Sequence, residues 1–301
     1  MYSVLIPTFN YDITKLVRDL HRQATELMLD FEIIVLEDGS DKFVNENSTI
    51  GQIPGCRYIR LNENIGRSKA RNKLAGLARY DYLIIMDCDA EVRHDDYLQR
   101  YANFFKDEKV VVIGGTEYDA DVNDPRFSLR LKYGRKREAN LLYHTRDESF
   151  NNFATFNFML SRDVIQAVQF DESINGYGHE DTLFGHALHE AGISYFRIDN
   201  ALVHKGLDDN LTFLKKTEES VDNLYKLFKT GSYPFLEKES HLLAAFSAVR
   251  TKKLVPLFAF LAKLINPILK VQLCSSNPSL RLYDAYKLLV LCRTAHRNLT
   301  A

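Results

Sequence analysis

Hydrophobic and polar positions change period in blocks along this chain. Short runs of aliphatic and β-branched residues, Ser3 to Ile6, Phe31 to Leu36, Tyr58 to Leu61, Tyr82 to Met86 and Val110 to Ile113, have the length of strands. Between them the apolar positions recur at helical spacing, from about Ile13 to Leu29, Arg67 to Arg79 and Asp96 to Phe105. Strands separated by amphipathic helices predict βαβ units and an α/β fold, with a mostly parallel sheet flanked by helices. From Glu117 to Asn152 the period weakens and basic residues gather, which predicts a loop and helix over the sheet's edge; apolar character resumes at Phe153 to Leu160. The breaker cluster Thr230-Gly231-Ser232-Tyr233-Pro234 predicts a boundary, with one domain over 1–232 and a basic amphipathic helical extension over 233–301.

Composition narrows the class. With 301 residues, 46% hydrophobic and 26% charged, the chain is long enough for a large buried core and has no sign of disorder. Its four cysteines, Cys56, Cys88, Cys274 and Cys292, form no C-x-x-C pair and are expected to be reduced thiols. The start of the chain lacks a basic segment and its apolar run stops at Pro7, so a strand and a cytoplasmic location are expected. The formal net charge is −1, yet residues 241–301 carry nine Lys and Arg against one acid, Asp284. The tail's apolar run from Leu254 to Leu273, with Phe258 and Phe260 in it, is expected to be interrupted by Lys263 and Pro267 before it could span a bilayer, and the asymmetry predicts a tail that meets an anionic membrane surface peripherally. The alternative is a cap that packs on the first domain or on a twin subunit in a homodimer. No nucleic-acid partner is indicated.

Candidate chemistry gathers where strands end. Asp87-Cys88-Asp89 follows the run Tyr82 to Met86; residues two apart on a strand face the same side, where two carboxylates could share a hard cation. Open α/β sheets bind ligands at such carboxyl ends. A D-x-D is weak alone, and Asp119-Ala120-Asp121 is a second copy in a polar loop. Pro7-Thr8-Phe9-Asn10 and Glu37-Asp38-Gly39-Ser40 end two other strands. Asn64-Ile65-Gly66-Arg67-Ser68-Lys69-Ala70-Arg71-Asn72 then opens a helix with three cations where its dipole favours anions, as an anionic ligand would require. Glu180-Asp181 begins another helix behind Gly176-Tyr177-Gly178-His179, either as carboxylates favouring the dipole or as reactive groups. His186 and His189 lack the H-E-x-x-H pattern of a zinc site.

In this order the motifs resemble those of family 2 glycosyltransferases with the GT-A nucleotide-diphospho-sugar fold, over residues 2 to about 205. The resemblance implies that Pro7, Phe9, Asp38 and Arg71 hold the uridine of a UDP-sugar, with Thr8, Glu37, Asn64 and Gly66 beside them. It implies Asp87 for the ribose and metal, Asp89 for the metal and His204 to complete the coordination of Mn²⁺ or Mg²⁺. Asp181 would be the general base that deprotonates an acceptor hydroxyl in an inverting transfer, with Glu180 next to it. The acceptor so implied is a glycan, lipid-linked in bacterial surface polysaccharide synthesis. Glu37 stands where the family commonly has Asp. A sugar nucleotidyltransferase and a non-catalytic nucleotide-sugar-binding or scaffold protein are the alternatives. The P-loop G-x-x-x-x-G-K-[ST] and a complete G-x-G-x-x-G are both absent, and the Q-x-x-R-W of processive polysaccharide synthases is impossible without tryptophan.

Overall fold

The protein's computed structural model describes residues 1–106, 109–139, 146–147, 153–174 and 176–300. In chain order the elements are β1 (Tyr2–Thr8), α1 (Thr14–Glu26), β2 (Phe31–Asp38), α2 (Val44–Ser48), β3 (Cys56–Leu61), α3 (Arg67–Leu77) and β4 (Tyr82–Met86). They continue with β5 (Ala90–Glu91), α4 (Tyr97–Ala102), β6 (Val111–Ile113), β7 (Thr116–Glu117), α5 (Ser128–Tyr133), β8 (Arg146–Asp147), β9 (Asn157–Ser161), α6 (Arg162–Ala167), α7 (Glu180–Glu190), β10 (Tyr195–Arg197) and β11 (Leu202–His204). Five helices close the chain: α8 (Asn210–Thr230), α9 (Phe235–Glu239), α10 (His241–Thr251), α11 (Val255–Leu273) and α12 (Leu280–Thr300).

These elements form two compact units. One comprises Met1–Asp119, Arg137–Ile174 and Glu180–Gly206, and the other Ala120–Lys136, Asn175–His179 and Leu207–Ala301. The first is a mixed α/β layer structure around an eight-stranded sheet of order β3-β2-β1-β4-β9-β6-β10-β8. Strands β3, β2, β1 and β4 run parallel, so their carboxyl ends lie at one edge. Alternation along each strand divides the core. Val4, Ile6, Ile33, Val35, Ile84 and Met86 face Leu16, Val17 and Leu20 of α1, while Leu5, Ile34, Leu36, Leu83 and Ile85 face Leu74 of α3 and Phe184 and Leu188 of α7. Burying each such side chain contributes about 1.5–3 kcal/mol.

The expectation of a mostly parallel sheet holds for its first four strands. It changes at β9, which runs antiparallel between β4 and β6, and β8 is antiparallel to β10. Buried Asn157 fixes β9 there. Its Oδ1 accepts from the hydroxyls of Tyr97 and Tyr101, both at 2.7 Å, and its Nδ2 donates to the carbonyls of Gly115 at 3.1 Å and Asn200 at 2.8 Å. A second sheet of three short strands, β5-β11-β7, lies beyond the end of β4. Of the weakly periodic stretch, 128–133 is helical, and 140–145 and 148–152 lie outside the described residues.

The second unit is helical. Asp209 caps α8 by accepting from the Thr212 N–H at 2.9 Å, and Ser240 caps α10 through the Leu243 N–H. Glu218 of α8 accepts from the Tyr286 hydroxyl of α12 and pairs with Lys270 of α11 at 2.9 Å and Arg293 of α12 at 3.2 Å. The run after Leu254 was expected to be broken by Lys263 and Pro267. Instead α11 is one continuous helix of 19 residues, long and apolar enough to cross a membrane by length and composition. Pro267 forfeits one backbone bond, and packing against α12 offsets it, because Val255, Ala259, Ala262, Asn266, Leu269 and Leu273 make a buried face.

Candidate functional site

At the shared carboxyl edge of β1, β2 and β4 the first unit brings together most of the expected residues. Pro7 and buried Thr8 finish β1, and Phe9 stands just past it with 48% of its surface exposed, an apolar ring open to a planar partner. Asn10 ties the next turn down: its N–H donates to Ser40 Oγ at 2.8 Å, and its Oδ1 accepts from the N–H groups of Asp41 and Lys42.

The two acids ending β2 are engaged internally. Glu37 is wholly buried; it accepts from Ser40 Oγ, from Asn47 Nδ2 at 2.9 Å and from the Tyr58 hydroxyl at 3.1 Å. Asp38 accepts the N–H of Ile65 at 2.8 Å and of Gly66 at 3.1 Å, and its carbonyl accepts from Asn64 Nδ2. These two acids therefore shape the turn and hold the loop that launches α3. Gly39 makes the close approach possible: φ is +69°, and a Cβ would fall 2.4 Å from the backbone N of Asn64.

Helix α3 projects Arg67 and Arg71 at carboxylates of this unit. Arg67 meets Glu180 Oε1 at 3.4 Å, and Arg71 Nη2 donates to Asp87 Oδ1 at 2.7 Å. Part of the anion that the cationic first turns call for is thus supplied by the chain. Arg71 is 1% exposed, stacks over Phe170 at 5.5 Å, and has no hydrogen-bond partner for Nε or Nη1 among the described residues. A buried guanidinium with unused donors is suited to an anionic ligand.

The D-x-D behaves differently from a strand pair. Strand β4 ends at Met86, so Asp87 to Asp89 lie in the following turn and pleat alternation does not govern them. Asp87 turns to Arg71. Asp89 turns to β11, because β11 pairs with β5 in a register that sets His204 opposite Ala90. His204 Nε2 donates to Asp89 Oδ2 at 3.0 Å, and its ring sits edge-on to Tyr118 and Phe156. Burial opposes ionisation of Asp89, but the hydrogen bond and charge of His204, with Arg67 further off, outweigh it and hold the carboxyl below its ordinary range. Among the described residues no three His, Cys, Asp or Glu side chains form a closed metal cage. A carboxylate beside an imidazole, with Asp87 two residues away, nonetheless fits the donor set of a divalent ion such as Mn²⁺.

Glu180 and Asp181 open α7 as expected. Burial opposes the charge of Glu180, but Arg67 and Arg71 outweigh it and keep the carboxyl below the usual glutamate range. Asp181 moves the other way, pushed up to about 6 by burial and then by the charge of Glu180. Neighbouring acids whose environments drive their pKa values apart are a mark of acid–base sites. Two residues escaped attention in the sequence. Arg67 was counted among three cations, but its pairing with Glu180 spans 113 positions. Gly206 has its Cα so close to Asp89 that a Cβ would lie 2.2 Å from Oδ2; its spacing two residues after His204 was the available signal.

An α/β layer with this edge is a GT-A-like scaffold. Residues 3–168 match the family model described as glycosyl transferase family 2, and the chain belongs to that family. The chain is 27% identical over 240 residues to a chondroitin synthase of Pasteurella multocida (strain Pm70), and 26% identical over 237 residues to a hyaluronan synthase of Pasteurella multocida. Each match covers 67% of this chain but 24% of the relative, so the chain spans about a quarter of the length of these relatives. An uncharacterized glycosyltransferase, YfnE, of Bacillus subtilis (strain 168) is 24% identical over 256 residues, 67% of this chain and 64% of that protein. In fold the chain is similar to a mannosyltransferase from Pyrobaculum calidifontis in complex with GDP-Man and Mn²⁺, with a TM-score of 0.56, 16% identity, and coverage of 99% of this chain and 86% of that one.

Proposed function

We propose that the chain transfers a sugar from a UDP-sugar to a hydroxyl of a glycan acceptor, with inversion at the anomeric carbon. The observation that carries this is the meeting of Arg71, with its two unused buried donors, and Asp87 at the strand edge that also holds the Asp89–His204 pair. Phe9 offers its exposed ring to the base, next to Pro7 and Thr8. Glu37, Asp38, Asn64 and Gly66 keep the turn after β2 and the loop that launches α3 in shape, and Arg71 meets the donor's diphosphate. A divalent ion, Mn²⁺ or Mg²⁺, would be held by Asp89 and His204 with Asp87, and when bound would offset charge on the departing diphosphate.

Asp181 takes the proton of the acceptor hydroxyl as that oxygen attacks the anomeric carbon from the face opposite the nucleotide. A carboxylate is needed because a sugar hydroxyl is a poor nucleophile while it keeps its proton, and a base with a pKa near 6 is ionised at neutral pH yet still a competent acceptor. Glu180, anchored by Arg67, stays charged beside it and keeps Asp181 basic. The synthase relatives point to a polysaccharide acceptor, and we extend this to one carried on a lipid diphosphate.

Calorimetry of UDP with and without Mn²⁺, on the protein and on Asp89→Ala, tests the assignment. Binding that needs the ion and is lost in the variant is expected; UDP affinity indifferent to both overturns the metal role. Pyrophosphate exchange from UTP would replace transfer with a nucleotidyltransferase, and donor binding with no turnover would make the chain a non-catalytic binder.

A further inference from the structure

We propose that α11 is an in-plane membrane anchor that lays one apolar face on an anionic lipid surface, independently of which sugar the chain transfers. Leu257, Phe260, Leu264, Ile268 and Val271 are between 50% and 77% exposed. Their spacing of three, four, four and three residues keeps all five on one narrow stripe of the helix, about 21 Å long. The opposite face is buried against α12. Lipid therefore reaches α11 from one side only, which fits a helix lying in the interface and not one surrounded by acyl chains, although its length would suffice to cross.

Charge selects the occupant. Exposed Lys263 lies along one edge of the stripe, and exposed Lys252 and Lys253 stand just before the helix, while Lys270 is held by Glu218. Long basic side chains beside an apolar stripe can rest their methylenes on it and carry their charge outward to phosphate. Residues 241–301 hold nine Lys and Arg and one acid; Arg250, Lys270, Lys287, Arg293 and Arg297 pair with Glu237, Glu218, Asp284 and Asp222, and the positive charge at the stripe is that of exposed Lys252, Lys253 and Lys263. A second copy seated on this face would meet its own sign of charge, whereas phosphatidylglycerol or another anionic headgroup complements it. Of the two aromatics in the apolar stretch read from the sequence, Phe260 stands on the exposed line with Leu264 and Ile268, and Phe258 is half-buried.

The test is co-sedimentation of the full chain with vesicles of phosphatidylcholine alone or with one part in three phosphatidylglycerol. Preference for the anionic vesicles is expected. Replacing Leu257, Leu264 and Ile268 by Gln should lower partitioning by at least about 100-fold, since each large aliphatic side chain is worth tenfold or more on burial. Replacing Lys252, Lys253 and Lys263 by Gln should also cost about 100-fold at low salt, at about fivefold per cation, and that loss should shrink as salt is added. All six positions are exposed, and unchanged circular dichroism and melting confirm that the variants fold. Failure of the intact chain to prefer anionic vesicles, or binding by both variants as tight as that of the intact chain, overturns the proposal. So does a dimer in light scattering that the Gln variant of the stripe converts to monomer.

Discussion

Replacing Asp181 by Asn should make the protein more stable at neutral pH while removing its activity. Burial and the charge of Glu180 raise the Asp181 pKa from 3.8 to about 6, so the folded chain holds this carboxylate charged at a cost. With the folded value above the unfolded one, the group's contribution to stability is complete below about pH 4. It is lost as the pH rises through about 6. A displacement of that size corresponds to about 3 kcal/mol in a dry site, and about 1–2 kcal/mol once partial solvent access is allowed for. Asparagine keeps the shape and can still accept from the Thr182 N–H, as Asp181 Oδ1 does at 2.8 Å, but has no charge to desolvate. For a chain of this length the gain corresponds to roughly 2–5 °C in melting temperature. Thermal unfolding of both proteins at pH 8 and pH 5 checks the size and the sign: a clear gain at pH 8 should fall to about half at pH 5. Transfer should drop by about 10²-fold or more, and the wild-type rate should fall with protonation below about pH 6. An Asn variant that melts lower at pH 8, or by the same margin at both pH values, would show that the carboxylate serves α7 and not the reaction.

Two other perturbations follow from close contacts. Gly206→Ala puts a Cβ against the Asp89 carboxylate and should turn it away from His204, weakening Mn²⁺-dependent UDP binding about tenfold or more with little change in melting; unchanged affinity by calorimetry would argue against any role for the Asp89–His204 pair. Asn157→Leu strands the Tyr97 and Tyr101 hydroxyls and two carbonyls in the core, and should cost about 3–5 kcal/mol in urea unfolding; a loss under about 1 kcal/mol would mean that water replaces the amide.

The continuous apolar runs that became β1, β2 and β4 were readable because these strands are buried on both faces and their intervening helices are amphipathic. Local period sufficed there. β9 was less readable, since its direction depends on Asn157, a polar residue whose four partners lie 42 to 60 positions away. The site shows the same division. Residues at strand ends could be named from order along the chain, but the partners of Glu37 and Asp38 could not, because Asn47, Tyr58 and the Ile65–Gly66 amides reach them only after the sheet forms. The approach of His204 to Asp89 rests on a two-residue pairing of β5 with β11, too short for any periodic signal. Lys263 and Pro267 misled for another reason. Helix α11 is held by the face it shares with α12, and tertiary packing overrode a local breaker.

Arg71 links the site to the fate of the whole chain. A guanidinium sealed at 1% exposure, with Nε and Nη1 unpartnered among the described residues, costs the folded state free energy before any ligand arrives. A diphosphate that accepts those N–H groups binds the folded form alone and stabilises it by mass action, by about 2.7 kcal/mol at a hundred times its Kd. The lifetime of such a protein against unfolding and proteolysis would then follow the supply of its donor nucleotide. The chain would last longest while it has sugar to transfer.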